Sequence, residues 1–326
     1  MPRRSAKGER QEVVAGPQKV ASCIATKRAG VQTRKRSVMT KSTSQLKAAV
    51  RDYLKTGDHD PAFRGWPGSN FLDVAQRGSA TLCNALVAAV ASGTQSHGIA
   101  PELASRDVTV LTRSKVSPMV AGLFPVAEQP MVLAMLERSV VFLHPGNIES
   151  VLRAATWPRT AWSLANLYLV SVGCERLSGE APNIVGLSEE TTCYVSPAYF
   201  SSQDEFADYV VHEAAHVFHN CRRGSVGLTE TRSRKYLLDI DYRKRETFAY
   251  ACEAYSCIVA RGGTAADRRA ALDEHADGGL PGDDSIDLDE YLDILQEAVA
   301  ARNGWKRILQ RCAPGESRTA TRPVLE

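Results

Sequence analysis

Hydrophobic residues recur every three or four positions in several stretches of the first half of the chain, a spacing typical of amphipathic helices. The spacing predicts helices over these segments: Ser44 to Leu54, Asn70 to Ala91, Pro130 to Val140 and Asn147 to Ala155. Gly57 provides a stop for the first helix, and the β-prone run from Val108 to Leu111 predicts a short strand. Residues 46–160 are therefore predicted to be a mostly helical region.

The pattern changes after residue 160. LANLYLVSVG, Leu164 to Gly173, is apolar and bounded by glycine, so it predicts a strand. Thr191 to Phe200 predicts a second strand, placed at a sheet edge because Pro197 cannot donate a ladder hydrogen bond. The pattern is again helical from Ser202 onward. Together these elements predict an α+β fold, with a helical N-terminal region followed by a domain, residues 161–313, that contains a small sheet.

One of the later helices carries three histidines in the stretch VVHEAAHVFHN, Val210 to Asn220. Ser202 to Glu205 has the form of a capping box, and Gly224 is a plausible stop, so the helix is predicted over about 203–222. His212 and His216 are four residues apart and lie on one face of a helix. Two imidazoles at this spacing can bind a single zinc ion.

Glu213 lies next to the first of these histidines, within the pattern H-E-x-x-H. In zinc peptidases with this pattern the glutamate is the general base. A site of this kind needs a third protein ligand. The next helix, within Arg243 to Val259 and stopped by Gly262, places Glu246, Tyr250 and Glu253 on one face, because they are spaced by four and three.

HEAAH followed on a later helix by E-T-F-A, Glu246 to Ala249, resembles the gluzincin group of zinc metallopeptidases. The E-x-F-A form is similar to the glutamate helix of lethal-factor-type toxins. The resemblance covers about residues 160–262 and implies a zincin-like fold, with zinc bound by His212, His216 and Glu246. It implies that Glu213 is the general base and that the segment 193–200 is the edge strand along which an extended substrate binds.

Several alternatives remain open within this resemblance. Glu253 is the other candidate for the third ligand, or a hydrogen-bond partner of a ligand histidine. Tyr250 is the candidate for a second electrophile, with Tyr242 as the other choice. His219 is either a further ligand or a partly buried polar residue at the helix end. Asp239 and Asp241 are candidate ligands of another zincin type, but their neighbouring residues do not match that type.

The residues thus predict a zinc-dependent metalloendopeptidase that hydrolyses peptide bonds of a protein or peptide substrate through a metal-activated water. The alternative is a non-catalytic zinc-binding regulatory or interaction protein on the same scaffold. A third interpretation is an all-helical protein without metal. Glu213 favours catalysis, because a structural zinc site does not need it and is usually closed by four protein ligands.

The charge is unevenly distributed along the 326 residues, which carry a formal net charge of +3. Residues 1–45 contain eleven Lys or Arg and two Glu, so the tail is strongly basic and the rest of the chain is net negative. This composition predicts a disordered tail. Such a tail would contact nucleic acid or another anionic surface, or would simply be solvated. A further alternative is that the true start of the protein is Met39. Residues 314–326 are predicted to be a second flexible tail.

No apolar run in the sequence has the length of a secretory signal behind a basic start, or of a membrane span. The eight cysteines form no C-x-x-C pair, so a four-cysteine zinc site is not indicated and free thiols are expected. Cys174 and Cys193 would be able to pair only if the protein were exported. These features predict a soluble cytoplasmic protein.

Overall fold

The computed structural model describes residues 40–94, 103, 106–181, 184–201, 204–278 and 280–315. Most of the two expected tails, 1–45 and 314–326, therefore lies outside the described residues. Within the described part the fold is α+β and mostly helical, with a three-stranded sheet. No helix in this part of the chain is long and apolar enough to cross a membrane.

Helices account for most of the described elements, and the strands are short. The helices are, in chain order, α1 (Thr43–Thr56), α2 (Phe71–Gly93), α3 (Val108–Leu123), α4 (Gln129–Ser139), α5 (Ile148–Ala154), α6 (Pro158–Ser171), α7 (Tyr209–Asn220), α8 (Arg245–Arg261), α9 (Ala265–Gly278), α10 (Leu288–Ala300) and α11 (Gly304–Cys312). The strands are β1 (Val140–Phe142), β2 (Gly186–Glu189) and β3 (Thr192–Val195). Single 3-10 turns occupy Pro197–Ser201, Arg223–Val226 and Tyr242–Lys244.

The described residues fall into two compact units. The first unit is drawn from Ala100–Leu143 and Ile184–Glu326, and the second unit from Glu12–Ile99 and His144–Asn183. This division does not coincide with the boundary expected at residue 160. Helices α3 and α4 belong to the same unit as α7, although they precede that boundary. All of α6 belongs to the other unit, although most of this helix follows the boundary.

In the second unit, the predicted helices over Ser44–Leu54, Asn70–Ala91 and Asn147–Ala155 are present as α1, α2 and α5. Gly57 ends α1 in the left-handed conformation, with φ at 73°, as the stop signal predicts. The strand predicted over Leu164 to Gly173 is wrong, because residues up to Ser171 belong to α6. Every residue of α6 from 160 to 169 is buried. A helix that is buried on all sides has no polar face, and so its sequence shows no helical period.

In the first unit, the predicted helix over Pro130–Val140 is present as α4, but the predicted strand over Val108–Leu111 is the first turn of α3. The side chain of Asp107 accepts hydrogen bonds from the backbone N–H groups of Thr109 and Val110, at 2.9 and 3.1 Å. This N-cap satisfies two of the free N–H donors of the first turn and favours helix over strand there.

The sheet belongs to the first unit and has the strand order β1-β3-β2, with β1 parallel and β2 antiparallel to β3. The segment Thr191–Phe200 contributes only β3, because the chain turns into a 3-10 helix at Pro197. The prediction that this segment is an edge strand is also wrong, since β3 is the central strand. Strand β2 lies at an edge of the sheet and beside α7. The sequence pattern did not predict this strand.

Helix α7 is the most buried helix of the first unit, with residues 210–219 all buried against the core. It begins at Tyr209 rather than near residue 203, and Asp208 is its N-cap, accepting from the backbone N–H of Val211 at 3.3 Å. It ends at Asn220, before the expected stop at Gly224. The helix is thus shorter than predicted, but it contains the whole HEAAH segment.

Candidate metal centre

His212, His216 and Glu246 converge on one point in the first unit. The Nε2 atoms of the two histidines are 3.2 Å apart, and Oε2 of Glu246 lies 3.9 Å from the first and 3.6 Å from the second. Two ligands on a tetrahedral zinc ion, each bound at about 2.0–2.1 Å, are separated by about 3.3 Å. The separations of the three atoms bracket this value, so the structure brings the three residues predicted as ligands into a ligand-like arrangement.

Glu253, the alternative third ligand, lies on the other side of His212. Its Oε2 is 3.0 Å from Nδ1 of His212, and its Oε1 accepts from the backbone N–H of Asp208 at 2.8 Å. A carboxylate at this place accepts the Nδ1 proton and leaves Nε2 as the lone-pair donor that faces His216 and Glu246. Glu253 therefore has the position of the hydrogen-bond partner of a ligand histidine and not of a ligand.

His219 has the same relation to His216. Its Nε2 lies 3.0 Å from Nδ1 of His216, and its own Nδ1 lies 3.0 Å from Oδ1 of Asn220. Burial, together with the neighbouring His216, lowers the pKa of His219 to about 2, so its imidazole is neutral. A neutral His219 that donates to Asn220 accepts the Nδ1 proton of His216 and directs Nε2 of His216 toward the centre. His219 is outside the cluster of three converging atoms.

Negative charge accumulates around the two imidazoles. Glu213 and Glu253 are buried, and Glu246 is mostly covered. Burial opposes the charged form of His216, but the carboxylates of Glu246 and Glu213 outweigh burial, so the pKa of this histidine is raised. A buried site that favours added positive charge in this way is suited to a cation.

Asp208 ties α7 and α8 to α3. Its backbone donates to Glu253, its side chain caps α7, and its Oδ2 lies 2.8 Å from Nζ of Lys115 on α3. Burial alone would lower the pKa of Lys115, but the Asp208 carboxylate reverses this effect and raises it. The orientation of His212 thus depends, through Glu253 and Asp208, on a lysine from the region that the sequence left without a role.

Lys115→Met is expected to lower the free energy of unfolding by about 1–3 kcal/mol, because it leaves the Asp208 side chain, which is 3% exposed, without its cation. The matched control is Arg113→Met on the same helix. Arg113 is 61% exposed and pairs with Glu137, so its loss is expected to cost less than about 1 kcal/mol. Urea unfolding of both variants measures the difference, and equal losses would show that the Lys115 pair contributes no more than a surface pair.

Glu213 is held against the sheet. Its Oε2 accepts a hydrogen bond of 2.6 Å from the hydroxyl of Ser188 in β2, and the residue is 4% exposed. The carboxylate is close enough to His216 to raise its pKa. The predicted general base is therefore next to the candidate ligands without being one of the three converging groups.

The two tyrosines proposed as electrophiles differ in position. The ring of Tyr250 is buried and packs edge-on against the ring of His212, with 4.5 Å between centroids. Tyr242 is 67% exposed and lies under the guanidinium of Arg245. Tyr250 is thus the one that contacts a candidate ligand. Asp239 and Asp241 are outside the converging group, and Asp241 caps the 3-10 turn that precedes α8.

Sequence reasoning missed four residues beside the site: Lys115, Ser188, Asp208, and Gly186, whose missing side chain leaves room for the Glu213 carboxylate. Asp208 had a local signal, because an aspartate just before an apolar helical stretch is a common N-cap. The other three come from α3 and β2, and no local spacing connects those segments to α7.

Comparison with protein-family models, with curated proteins and with solved structures finds no match. The resemblance to the gluzincins therefore rests on the sequence motifs of this chain alone.

Proposed function

We propose that the chain is a zinc-dependent metalloendopeptidase. The observation that carries the proposal is the convergence of His212 Nε2, His216 Nε2 and Glu246 Oε2, with the Glu213 carboxylate beside them. Three nitrogen and oxygen donors that leave a fourth position open are typical of catalytic zinc sites, whereas structural sites usually have four protein ligands. The same arrangement is the reason for preferring an enzyme to a zinc-binding regulator.

The donor set fits zinc. Imidazole nitrogen is a borderline donor that suits Zn²⁺, and a carboxylate oxygen is a common companion ligand in zinc sites with two histidines. Both imidazoles have a partner on Nδ1 that directs Nε2 to the centre. When bound, a zinc ion supplies a Lewis acid that polarises a carbonyl group and lowers the pKa of a water molecule toward about 7.

Glu213 has the role of general base in this proposal. Its carboxylate accepts the proton of the attacking water and transfers it to the nitrogen of the leaving amine. The substrate is a protein or peptide, and an extended peptide that adds to the outer side of β2 would pass beside Glu213. Tyr250 is one turn beyond Glu246 on α8 and is the candidate to contact the substrate oxygen.

The test combines metal analysis with a cleavage screen on the purified full chain. We expect about one zinc per chain, and cleavage of a proteome-derived peptide library, read by mass spectrometry. Cleavage should stop with 1,10-phenanthroline and return when Zn²⁺ is added. Zinc without cleavage would support the non-catalytic regulator instead, and no zinc after reconstitution would overturn both proposals.

A further inference from the structure

One face of β2 is turned toward helix α7. Gly186 and Ser188 alternate along the strand, and they pair in register with Val195 and Cys193 of β3. Side chains two apart on a strand, and those directly opposite on its partner, lie on the same face of a sheet. Val195 and Cys193 belong to the core that includes α7, so Gly186 and Ser188 share the face that packs on this helix.

Ser188 contacts Glu213 at two atoms. The Ser188 hydroxyl donates a hydrogen bond of 2.6 Å to Oε2 of Glu213. The hydroxyl oxygen, Oγ of Ser188, also lies 3.1 Å from the backbone carbonyl oxygen of Glu213. The acceptor is a carboxylate, so the bond is charge-assisted and among the stronger kinds of hydrogen bond. It leaves the remaining lone pairs of the carboxylate available to accept a proton.

Gly186 makes room for the other side of the same carboxylate. A Cβ atom added at Gly186 would lie 2.3 Å from Oε1 of Glu213 and 2.8 Å from both Cδ and Cγ. Real Cβ atoms essentially never come closer than 3.0 Å to such atoms. The Glu213 side chain therefore occupies the space that any other residue at position 186 would fill.

We propose that Gly186 and Ser188 are positioning residues for Glu213, forming a cradle on β2 that fixes where the general base holds its carboxylate. The inference rests on the proposed peptidase function. A free glutamate side chain loses rotamer entropy when it is fixed in one conformation. Because the cradle already fixes the carboxylate in the free enzyme, this entropy is not lost when a substrate binds. A misplacement of about 1 Å in such a group lowers rates by about 10²-fold.

Four variants of the full chain test the cradle: Gly186→Ala, Ser188→Ala, Ser188→Thr and, as a control, Gly263→Ala. A Cβ at Gly263 meets nothing within 4 Å, so this control adds the same methyl group in open space. The readouts are zinc per chain, the thermal midpoint, kcat and KM on one peptide from the library screen, and a crystal structure of Gly186→Ala.

We expect Gly186→Ala to lower kcat by about 10²-fold and Ser188→Ala by about 10-fold, with KM and zinc content nearly unchanged. Ser188→Thr keeps the hydroxyl and should restore most of kcat. The crystal structure should show the Glu213 carboxylate displaced from β2. A methyl group at position 186 that only perturbed the fold would change the midpoint and the zinc content as well.

Two results separate the inference from the proposal beneath it. If the wild-type chain cleaves the peptide and both Gly186→Ala and Ser188→Ala cleave it equally well, the cradle has no role and the inference alone fails. If the wild-type chain binds no zinc or cleaves nothing, the proposed function fails, and the inference fails with it.

Discussion

Glu246→Ala is expected to lower the zinc affinity of the chain by on the order of 10³-fold or more, because it removes one of three ligands. Glu253→Ala, two turns later on the same helix, is expected to lower the affinity by only roughly 10–100-fold, the usual effect of losing a partner of a ligand. The sequence alone left both glutamates as candidates for the third ligand. The two variants distinguish them by the size of the loss.

The different sizes follow from the positions of the two carboxylates around His212. Oε2 of Glu246 is near Nε2 of both histidines, on the side where the three donors converge. Oε2 of Glu253 is on Nδ1 of His212, at the opposite edge of the ring. Without Glu253 the imidazole is free to carry its proton on Nε2, and that tautomer has no lone pair for the metal.

Zinc affinity is measured by competition with a chromophoric chelator, with Glu274→Ala as the control for loss of an exposed glutamate on the neighbouring helix α9. Glu253→Ala also leaves the backbone N–H of Asp208 without its acceptor, so a stability loss of about 1–3 kcal/mol is expected and must be measured separately. Zinc that is lost with Glu253→Ala and kept with Glu246→Ala would reverse the assignment of the third ligand.

The part of the site that lies within one helix was predictable from the sequence. His212, Glu213 and His216 are related by the fixed geometry of a helix, so their spacing determines which of them share a face. That relation holds although α7 begins six residues later than the capping-box pattern predicted. An error at a helix end does not change the spacing inside the helix.

The choice between Glu246 and Glu253 depended on how α8 packs against α7. Helical spacing places both on one face of α8 and says nothing of which end of that face meets the histidines. The cradle on β2 was even harder to predict from the sequence, because the pairing of β2 with β3 and the packing of both strands on α7 are non-local. A glycine and a serine two residues apart in a strand have no sequence signal that connects them to a glutamate 25 residues later.

The wrong assignment of Leu164 to Gly173 has a different cause. The run is apolar, rich in residues that favour strands and bounded by glycine, and these features predict a strand. Trp162 and Tyr168 are fully buried along with their neighbours on every side of α6, so burial removes the polar positions that mark a period. Pro158, in the first turn of α6, was the better signal, since proline is favoured at helix starts.

Glu213→Gln is expected to lower kcat by about 10²–10⁴-fold on any peptide that the wild-type chain cleaves, while about one zinc per chain is retained. Glutamine has the size and shape of glutamate, and its amide oxygen can still accept the hydrogen bond from Ser188. It cannot take a proton from water at neutral pH. The variant therefore removes proton transfer and leaves the cradle and the three candidate ligands in place.

The interpretation of the Glu213→Gln variant depends on whether it retains zinc. A loss of cleavage with the metal present assigns Glu213 to the chemical step, whereas a loss of both would show that Glu213 supports the metal site through its contact with β2. Single-turnover kinetics of the zinc-loaded variant separate the chemical step from product release. Wild-type kcat in Glu213→Gln would mean that another group accepts the proton, and the H-E-x-x-H pattern of this chain would then be a metal-binding motif without its usual base.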